Sequence, residues 1–227
     1  MDLHLRSNVI FRLLLATAGA VTVAHVAAQA STVAGVSSRH PLVQALNMDN
    51  EPSIPTLVAI AHWAVCLMLA ACIAFREHVV AGSHRRAWTT LSCVLAYLLA
   101  DEQLGLHEAI ADFLATPDRP QAVRAAWVLP YGVVAVVAAA AAWRVLADLP
   151  RSVRRWMAAS GVAFAAGAIG VELLGGRYIA SHGHDLFYHL TLVPAEELLE
   201  MVGLALLARG LLEYVARVQP VIRLRVE

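Results

Sequence analysis

The sequence ADEQLGLHE, residues 100–108, places three carboxylates and one histidine inside a helix-forming segment that covers residues 87–114. Its flanks, residues 88–99 and 109–114, are mostly apolar and typical of a membrane helix. Because charged groups at membrane depth are costly, such residues indicate a functional site and require partners. A second acidic stretch within an apolar run, PAEELLE at residues 194–200, is the predicted partner. The rest of the chain is then the scaffold that brings these two stretches together.

The composition predicts an all-α integral membrane protein. Hydrophobic residues make up 59% of the 227 residues and the mean hydropathy is +0.65, whereas soluble domains average about 45–50% apolar residues. The apolar runs are continuous and reach the roughly 20 residues of a spanning helix, unlike the alternating strands of a barrel. A net charge of +0 argues against a nucleic-acid partner. The basic residues are all arginine, which together with frequent alanine indicates a bacterial genome.

Six apolar segments predict a single domain, residues 1–227, built as a bundle of six transmembrane helices. The first segment resembles a signal peptide because Ala28-Gln29-Ala30 is similar to a cleavage site. Its length, and the position of His25 late within it, favour a retained helix instead. The predicted spans are residues 13–30, 54–75, 87–114, 126–147, 156–174 and 186–215. Gly175-Gly176 is expected to end the fifth of them.

The arginines predict the orientation of the bundle. By the positive-inside rule, the arginine-rich connections and both termini face the cytoplasm, which places the chain in the bacterial inner membrane. The arginines on this side are Arg6, Arg12, Arg76, Arg85, Arg86, Arg151, Arg154, Arg155, Arg217, Arg223 and Arg225. The opposite side contains only Arg39, Arg119, Arg124 and Arg177.

Acids and histidines of several spans are predicted to share one depth, in the outer half of the bundle. A helix rises about 1.5 Å per residue, so these positions overlap within a hydrocarbon core about 30 Å thick. Too few arginines lie nearby to neutralise the acids, which therefore need protons or metal cations. Carboxylates with histidines on facing helices are typical of dinuclear centres, for which iron or manganese is favoured and zinc is an alternative. The predicted metal ligands are Asp101, Glu102, His107, Glu108, Glu172, His189, Glu196 and Glu200, and the predicted catalytic residues are Tyr97 and Glu102.

Simpler explanations exist for individual residues. His25 and His62, each alone in an apolar run, are expected to be hydrogen-bonded core histidines. His182 and His184 are expected to be loop residues at a wet interface. The acids of residues 101–108 also fit an amphipathic extension that lies on the membrane surface. The three cysteines are interpreted as small core hydrophobes.

The pattern Asp-Glu, then Leu-His-Glu, at residues 101–108, with the later Glu-Glu-x-x-Glu-Met at residues 196–201, resembles uncharacterised bacterial integral membrane proteins. This resemblance covers the third and sixth spans only. It implies a multi-span inner-membrane protein with a shared acidic site, and it brings no activity with it. The sequence has neither HExxH nor the serine nucleophile motif of hydrolases.

We expect a metal-dependent membrane enzyme that acts on a lipid or another apolar substrate, with an oxygen-using oxidoreductase favoured over a hydrolase. Membrane lipids are its expected partners. The alternative is a proton- or cation-coupled transporter that uses the buried acids as a relay, although the inner half of the bundle lacks matching polar positions. A third class is a b-type haem protein, in which the iron ligand would be one of His25, His62, His107 and His189. The excess of acids disfavours this class.

Overall fold

The structure is a computed structural model, and it is all-α within the residues that it describes. The predicted all-α class is therefore confirmed for this part of the chain. The predicted ligands His107 and Glu108, and most of the predicted fourth span, lie outside it. The described residues are 3–50, 52–80, 82, 84–106, 109–110, 113, 132–133, 136, 139–140 and 146–218, with side chains from residue 7 onward.

Long helices dominate the described residues, and two of them contain a π-helical turn. Ser53 begins the third helix as its N-cap, where its hydroxyl oxygen accepts the Thr56 N–H at 3.2 Å. The α-helices are α1 (Leu3–Val33), α2 (Pro41–Ala45), α3 (Ile54–Val79), α4 (Arg85–Leu104), α5 (Arg151–Ala165), α6 (Glu172–His182) and α7 (Val193–Val218). The π-helical turns are π1 (Ala166–Val171), which joins α5 to α6, and π2 (Tyr188–Leu192), which leads into α7.

Helix α7 lies at the centre and packs against α1, α3 and α5. Glycines allow the closest of these approaches. A Cβ atom on Gly203 would lie 2.8 Å from the Cβ atom of Phe164, and one on Gly210 would lie 3.2 Å from that of Trp156. Small residues at such crossings let two backbones come together, as they do in membrane helices.

Aromatic and small side chains fill the core between α3, α4, α5 and α7. Trp63 meets Phe164 edge-on at 5.3 Å between ring centroids, and Trp88 contacts Tyr214 at 4.6 Å. Cys66 is buried and its thiol donates to the Leu204 carbonyl oxygen at 3.2 Å. The prediction that the cysteines are core residues is correct for Cys66, whereas Cys72 and Cys93 are exposed.

Three helices in the described part of the chain are long and apolar enough to cross a membrane: Ser7–Val33, Ile54–Val79 and Arg151–His182. They correspond to the first, second and fifth predicted spans. Their outward faces expose large apolar side chains such as Leu57, Met68 and Val162, which is typical of a surface covered by lipid.

One predicted helix is interrupted, and one predicted helix end is wrong. The predicted helix over residues 87–114 is interrupted, because α4 ends at Leu104 and Gly105 adopts the left-handed conformation with φ 56° and ψ 39°. Glycine takes this conformation without a steric penalty, so it terminates the helix. The glycines at 175 and 176, in contrast, do not end the fifth span, since α6 continues to His182. Gly175 is buried there, and a Cβ atom on it would lie 3.6 Å from the Tyr188 ring. This packing stabilises the longer helix.

Candidate metal centre and acid cluster

Three potential metal ligands meet where the loop between α2 and α3 approaches the segment that joins α6 to α7. They are Asp49, His184 and His189, and one ligand atom from each lies within 4.8 Å of the other two. The Oδ2 atom of Asp49 is 3.8 Å from Nδ1 of His189. Within the described residues this is the only set of three or more such side chains that meets this distance. We call these three residues the metal triad.

The spacing in the metal triad suits an ion better than a direct contact. A separation of 3.8 Å is too long for a hydrogen bond. Two ligand atoms that each lie about 2.1 Å from a tetrahedral ion are about 3.4 Å apart, so a small side-chain movement would admit one. The Nδ1 atom of His189 is also buried, and no described residue gives it a hydrogen bond.

Asp185 fixes the loop between the two triad histidines. Its Oδ1 atom accepts the Tyr188 N–H at 2.9 Å, and its Oδ2 atom accepts the Tyr178 hydroxyl at 2.8 Å. These hydrogen bonds hold the pKa of the Asp185 carboxyl below its ordinary value. The bond from the Tyr188 backbone has the larger effect and the bond from the Tyr178 hydroxyl the smaller. The ring of Tyr178 also stacks on His182 at 4.4 Å, and His182 is not part of the metal triad.

A turn of π-helix presents His189. The turn π2 ends two residues before Pro194, whose nitrogen has no hydrogen to donate and whose ring crowds the preceding turn of an ordinary α-helix. The wider turn accommodates the proline, so the helix continues through it as the sequence predicted. The other π-helical turn, π1, ends one residue before Glu172. Such turns are frequent at functional sites.

Acids from three helices approach each other beside the metal triad. Glu102, Glu172, Glu196 and Glu197 are all close enough to repel a carboxylate at Glu200. The side chains of Glu172 and Glu196 also lie close to each other. Two carboxylates this close repel each other when both are ionised, so a shared proton or a cation would stabilise the pair. We call these five residues the acid cluster.

Close backbone packing holds the acid cluster together. A Cβ atom on Gly167 in π1 would lie 2.8 Å from the Glu196 carbonyl oxygen and 3.0 Å from the Glu200 Cγ atom. The glycine therefore lets the segment that leads to Glu172 approach α7 at the two glutamates. Glu196, Glu200 and Gly203 lie on the face of α7 that packs against α5 and π1.

Tyr188 links the two groups of residues. Its hydroxyl donates to the Oδ1 atom of Asp49 at 3.3 Å. Asp49, Glu196 and Glu172 are the acids close enough to repel a phenolate at this position. The metal triad and the acid cluster are therefore neighbours on either side of one buried tyrosine.

The structure brings together many of the residues that the sequence singled out. Glu102, Glu172, Glu196 and Glu200 belong to the acid cluster, and His189 belongs to the metal triad. Asp101 is buried next to Glu102 in α4. Tyr97 is 40% exposed and lines a groove with Thr90 and Cys93, and the catalytic roles of Tyr97 and Glu102 stay predictions.

Sequence reasoning missed two members of the metal triad. Asp49 lies in a connection with no recognisable motif, and His184 was interpreted as a residue of a wet loop. His184 is indeed exposed in that loop, yet it faces the other two ligands. The one available signal was the pair His184 and His189 at the start of a span.

His25 and His62 are core histidines, as predicted. His25 is fully buried between the loop before α3 and π2, and both of its ring nitrogens have backbone partners. His62 contacts the carbonyl oxygens of Val58 at 2.7 Å and Leu14 at 3.0 Å. Neither side chain has a ring nitrogen free for an ion.

These features define a class: a helical protein with apolar helices of membrane-spanning length and a histidine–carboxylate group that can hold a metal ion. The chain belongs to the family described as a domain of unknown function, DUF8692, which matches residues 13–213. No curated protein and no solved structure matches the chain.

Proposed function

We propose that the protein is a metal-dependent integral membrane enzyme that binds a divalent ion at Asp49, His184 and His189. The observation that carries this proposal is the convergence of two imidazoles and one carboxylate within 4.8 Å. Three protein ligands leave coordination positions for water and substrate, which is the arrangement of a catalytic metal. The partly exposed position of Asp49 and His184 gives that substrate access.

The ligand set restricts the metal and the chemistry. Two histidines and one carboxylate with open positions are typical of iron(II) enzymes that activate oxygen, so an oxidoreductase is favoured. The same set around zinc would activate water and support hydrolysis. An apolar or lipid substrate fits because Leu186 and Phe187, between the triad histidines, expose 40% and 49% of their surfaces.

We place the chain in the bacterial inner membrane as a bundle of six spans with both termini in the cytoplasm. Support comes from the three long apolar helices and from the arginines, which concentrate at the ends remote from the metal triad. Arg76, Arg85, Arg151 and Arg217 lie at those ends. In this orientation the metal triad opens toward the outer surface.

The acid cluster is the proposed place of a second ion. Two neighbouring carboxyl groups, Glu172 and Glu196, repel each other when both are ionised, and a proton or a cation between them would relieve this repulsion. Glu200 on α7, with Glu102 and Asp101 on α4, would be further oxygen ligands for iron or manganese. If a proton occupies this position instead, the pair supports the second candidate function, a proton-coupled transporter.

Titration of the metal-free, detergent-purified protein with Co²⁺ tests the metal triad. The wild type should bind cobalt with the visible spectrum of a histidine-ligated ion, and Asp49→Ala and His184→Ala should lose it. His182→Ala is the matched control because its ring stacks on Tyr178 in the same segment. A wild type that binds no cobalt, or a His182→Ala variant that loses it equally, contradicts the proposal.

The reaction class needs a separate experiment. Iron-loaded protein that consumes dissolved oxygen in the presence of bacterial phospholipids supports the oxidoreductase. Zinc-loaded protein that releases fatty acid from the same lipids supports the hydrolase. Proton uptake into proteoliposomes without either reaction supports the transporter.

A further inference from the structure

We infer that His25 is a positioning residue that sets the separation between Asp49 and His189 in the metal triad, an inference that rests on the proposed function. The side chain is 0% exposed. Its Nε2 atom lies 2.7 Å from the carbonyl oxygen of His189, which is itself a triad residue. Its Nδ1 atom lies 3.1 Å from the backbone nitrogen of Met48, the residue before Asp49.

The hydrogen-bond partners define which tautomer serves this role. The Met48 N–H can only donate, so Nδ1 of His25 accepts and the proton resides on Nε2. The Nε2–H group then donates to the His189 carbonyl oxygen. The Leu46 carbonyl oxygen, 3.3 Å from Nδ1, receives no hydrogen bond in this state. A neutral imidazole therefore satisfies both backbone groups at once.

The rigid ring thus joins the two segments that supply the triad's carboxylate and one of its histidines. One nitrogen accepts from the backbone N–H of Met48, the residue before Asp49, and the other donates to the carbonyl oxygen of His189. The ring belongs to α1, a third element, so it connects segments that are remote in sequence. Because His25 is fully buried, bulk water does not compete for either bond in the wild-type protein.

His62 provides a matched comparison. It is 1% exposed, and its ring nitrogens contact backbone carbonyl oxygens of α3 and α1 at 2.7 Å and 3.0 Å. Neither partner, Val58 nor Leu14, is next to a triad residue. Both histidines connect α1 to the bundle, but only His25 also holds the metal ligands.

Cobalt affinity and the cobalt spectrum distinguish positioning from general stability. His25→Ala should weaken Co²⁺ binding about 10–100-fold, as losses of groups that orient metal ligands usually do. His25→Gln, whose amide can still donate to the His189 carbonyl, should recover part of the affinity. His62→Ala should lower the melting midpoint while it keeps the wild-type affinity and spectrum.

The controls separate this inference from the proposed function. A wild type without cobalt binding refutes the metal triad itself, and the role of His25 with it. A wild type that binds, together with His25→Ala and His25→Gln variants that bind equally well, refutes the positioning role alone. An equal loss in His62→Ala also refutes it. Should His25→Ala fail to fold, His25→Leu serves instead, because it fills the space without a hydrogen-bonding group, and wild-type affinity and spectrum in His25→Leu overturn the inference.

Discussion

Replacement of Gly167 by alanine tests whether the acid cluster depends on close backbone packing. The added Cβ atom would lie 2.8 Å from the Glu196 carbonyl oxygen, 3.0 Å from the Glu200 Cγ atom and 3.1 Å from the Leu199 Cβ atom. The first contact is with backbone, which no side-chain rotation relieves. Helix α7 and π1 must therefore separate by several tenths of an ångström.

The expected cost follows from these contacts. Overpacking of this kind costs about 1–3 kcal/mol, and the better helix propensity of alanine returns up to about 1 kcal/mol. A net loss of about 1–2 kcal/mol corresponds to a melting midpoint about 2–8 °C lower for a chain of this size. The separation should also lengthen the contact between Glu172 and Glu196.

Thermal unfolding in detergent, followed by circular dichroism, measures this effect. Gly170→Ala is the matched control in the same π-helical turn, because its nearest atom is the Ala165 carbonyl oxygen at 3.9 Å. This variant should be unchanged or stabilised by up to about 1 kcal/mol. A Gly167→Ala variant as stable as Gly170→Ala would refute the close approach of π1 to α7.

Three further outcomes are expected. Because the pKa of Asp185 is lowered on folding, its contribution to stability is present at neutral pH and is lost as pH falls below about 4. When the free energy of unfolding is measured as a function of pH, Asp185→Asn should lack this loss of stability in acid. Glu213→Ala leaves the buried Arg209 without the carboxylate that lies 3.2 Å from it. This variant should have a free energy of unfolding about 3–5 kcal/mol lower than the wild type, with cobalt binding unchanged. Single cysteines at Ser83 and Ser181, in a cysteine-free background, should label from opposite membrane faces.

Local patterns explain why the helices could be predicted. Continuous apolar runs and start signals such as Ser53 specify helices through neighbouring residues alone. The errors lie where tertiary context decides. The same residue type, glycine, ends α4 at Gly105 but not the helix at Gly175, where packing against Tyr188 continues it.

Part of the candidate site could likewise be predicted from local sequence, and part depends on tertiary contacts. Glu102, Glu172, Glu196 and Glu200 were predicted because acids in apolar helices are conspicuous, and helical periodicity places them on inward faces. Asp49 and His184 lie in connections, where the chain has no periodicity to indicate direction. Only the folded contacts of π2 with the loop before α3 bring them to His189.

Elemental analysis of the purified protein, expressed with iron, manganese and zinc in excess, tests the metal site most directly. We predict at least one ion per wild-type chain, two if the acid cluster is also filled, and one fewer in His184→Ala purified in the same way. His182→Ala should match the wild type. Wild-type protein without stoichiometric metal, or His184→Ala protein with the full wild-type content, would contradict the assignment of Asp49, His184 and His189 as a metal centre.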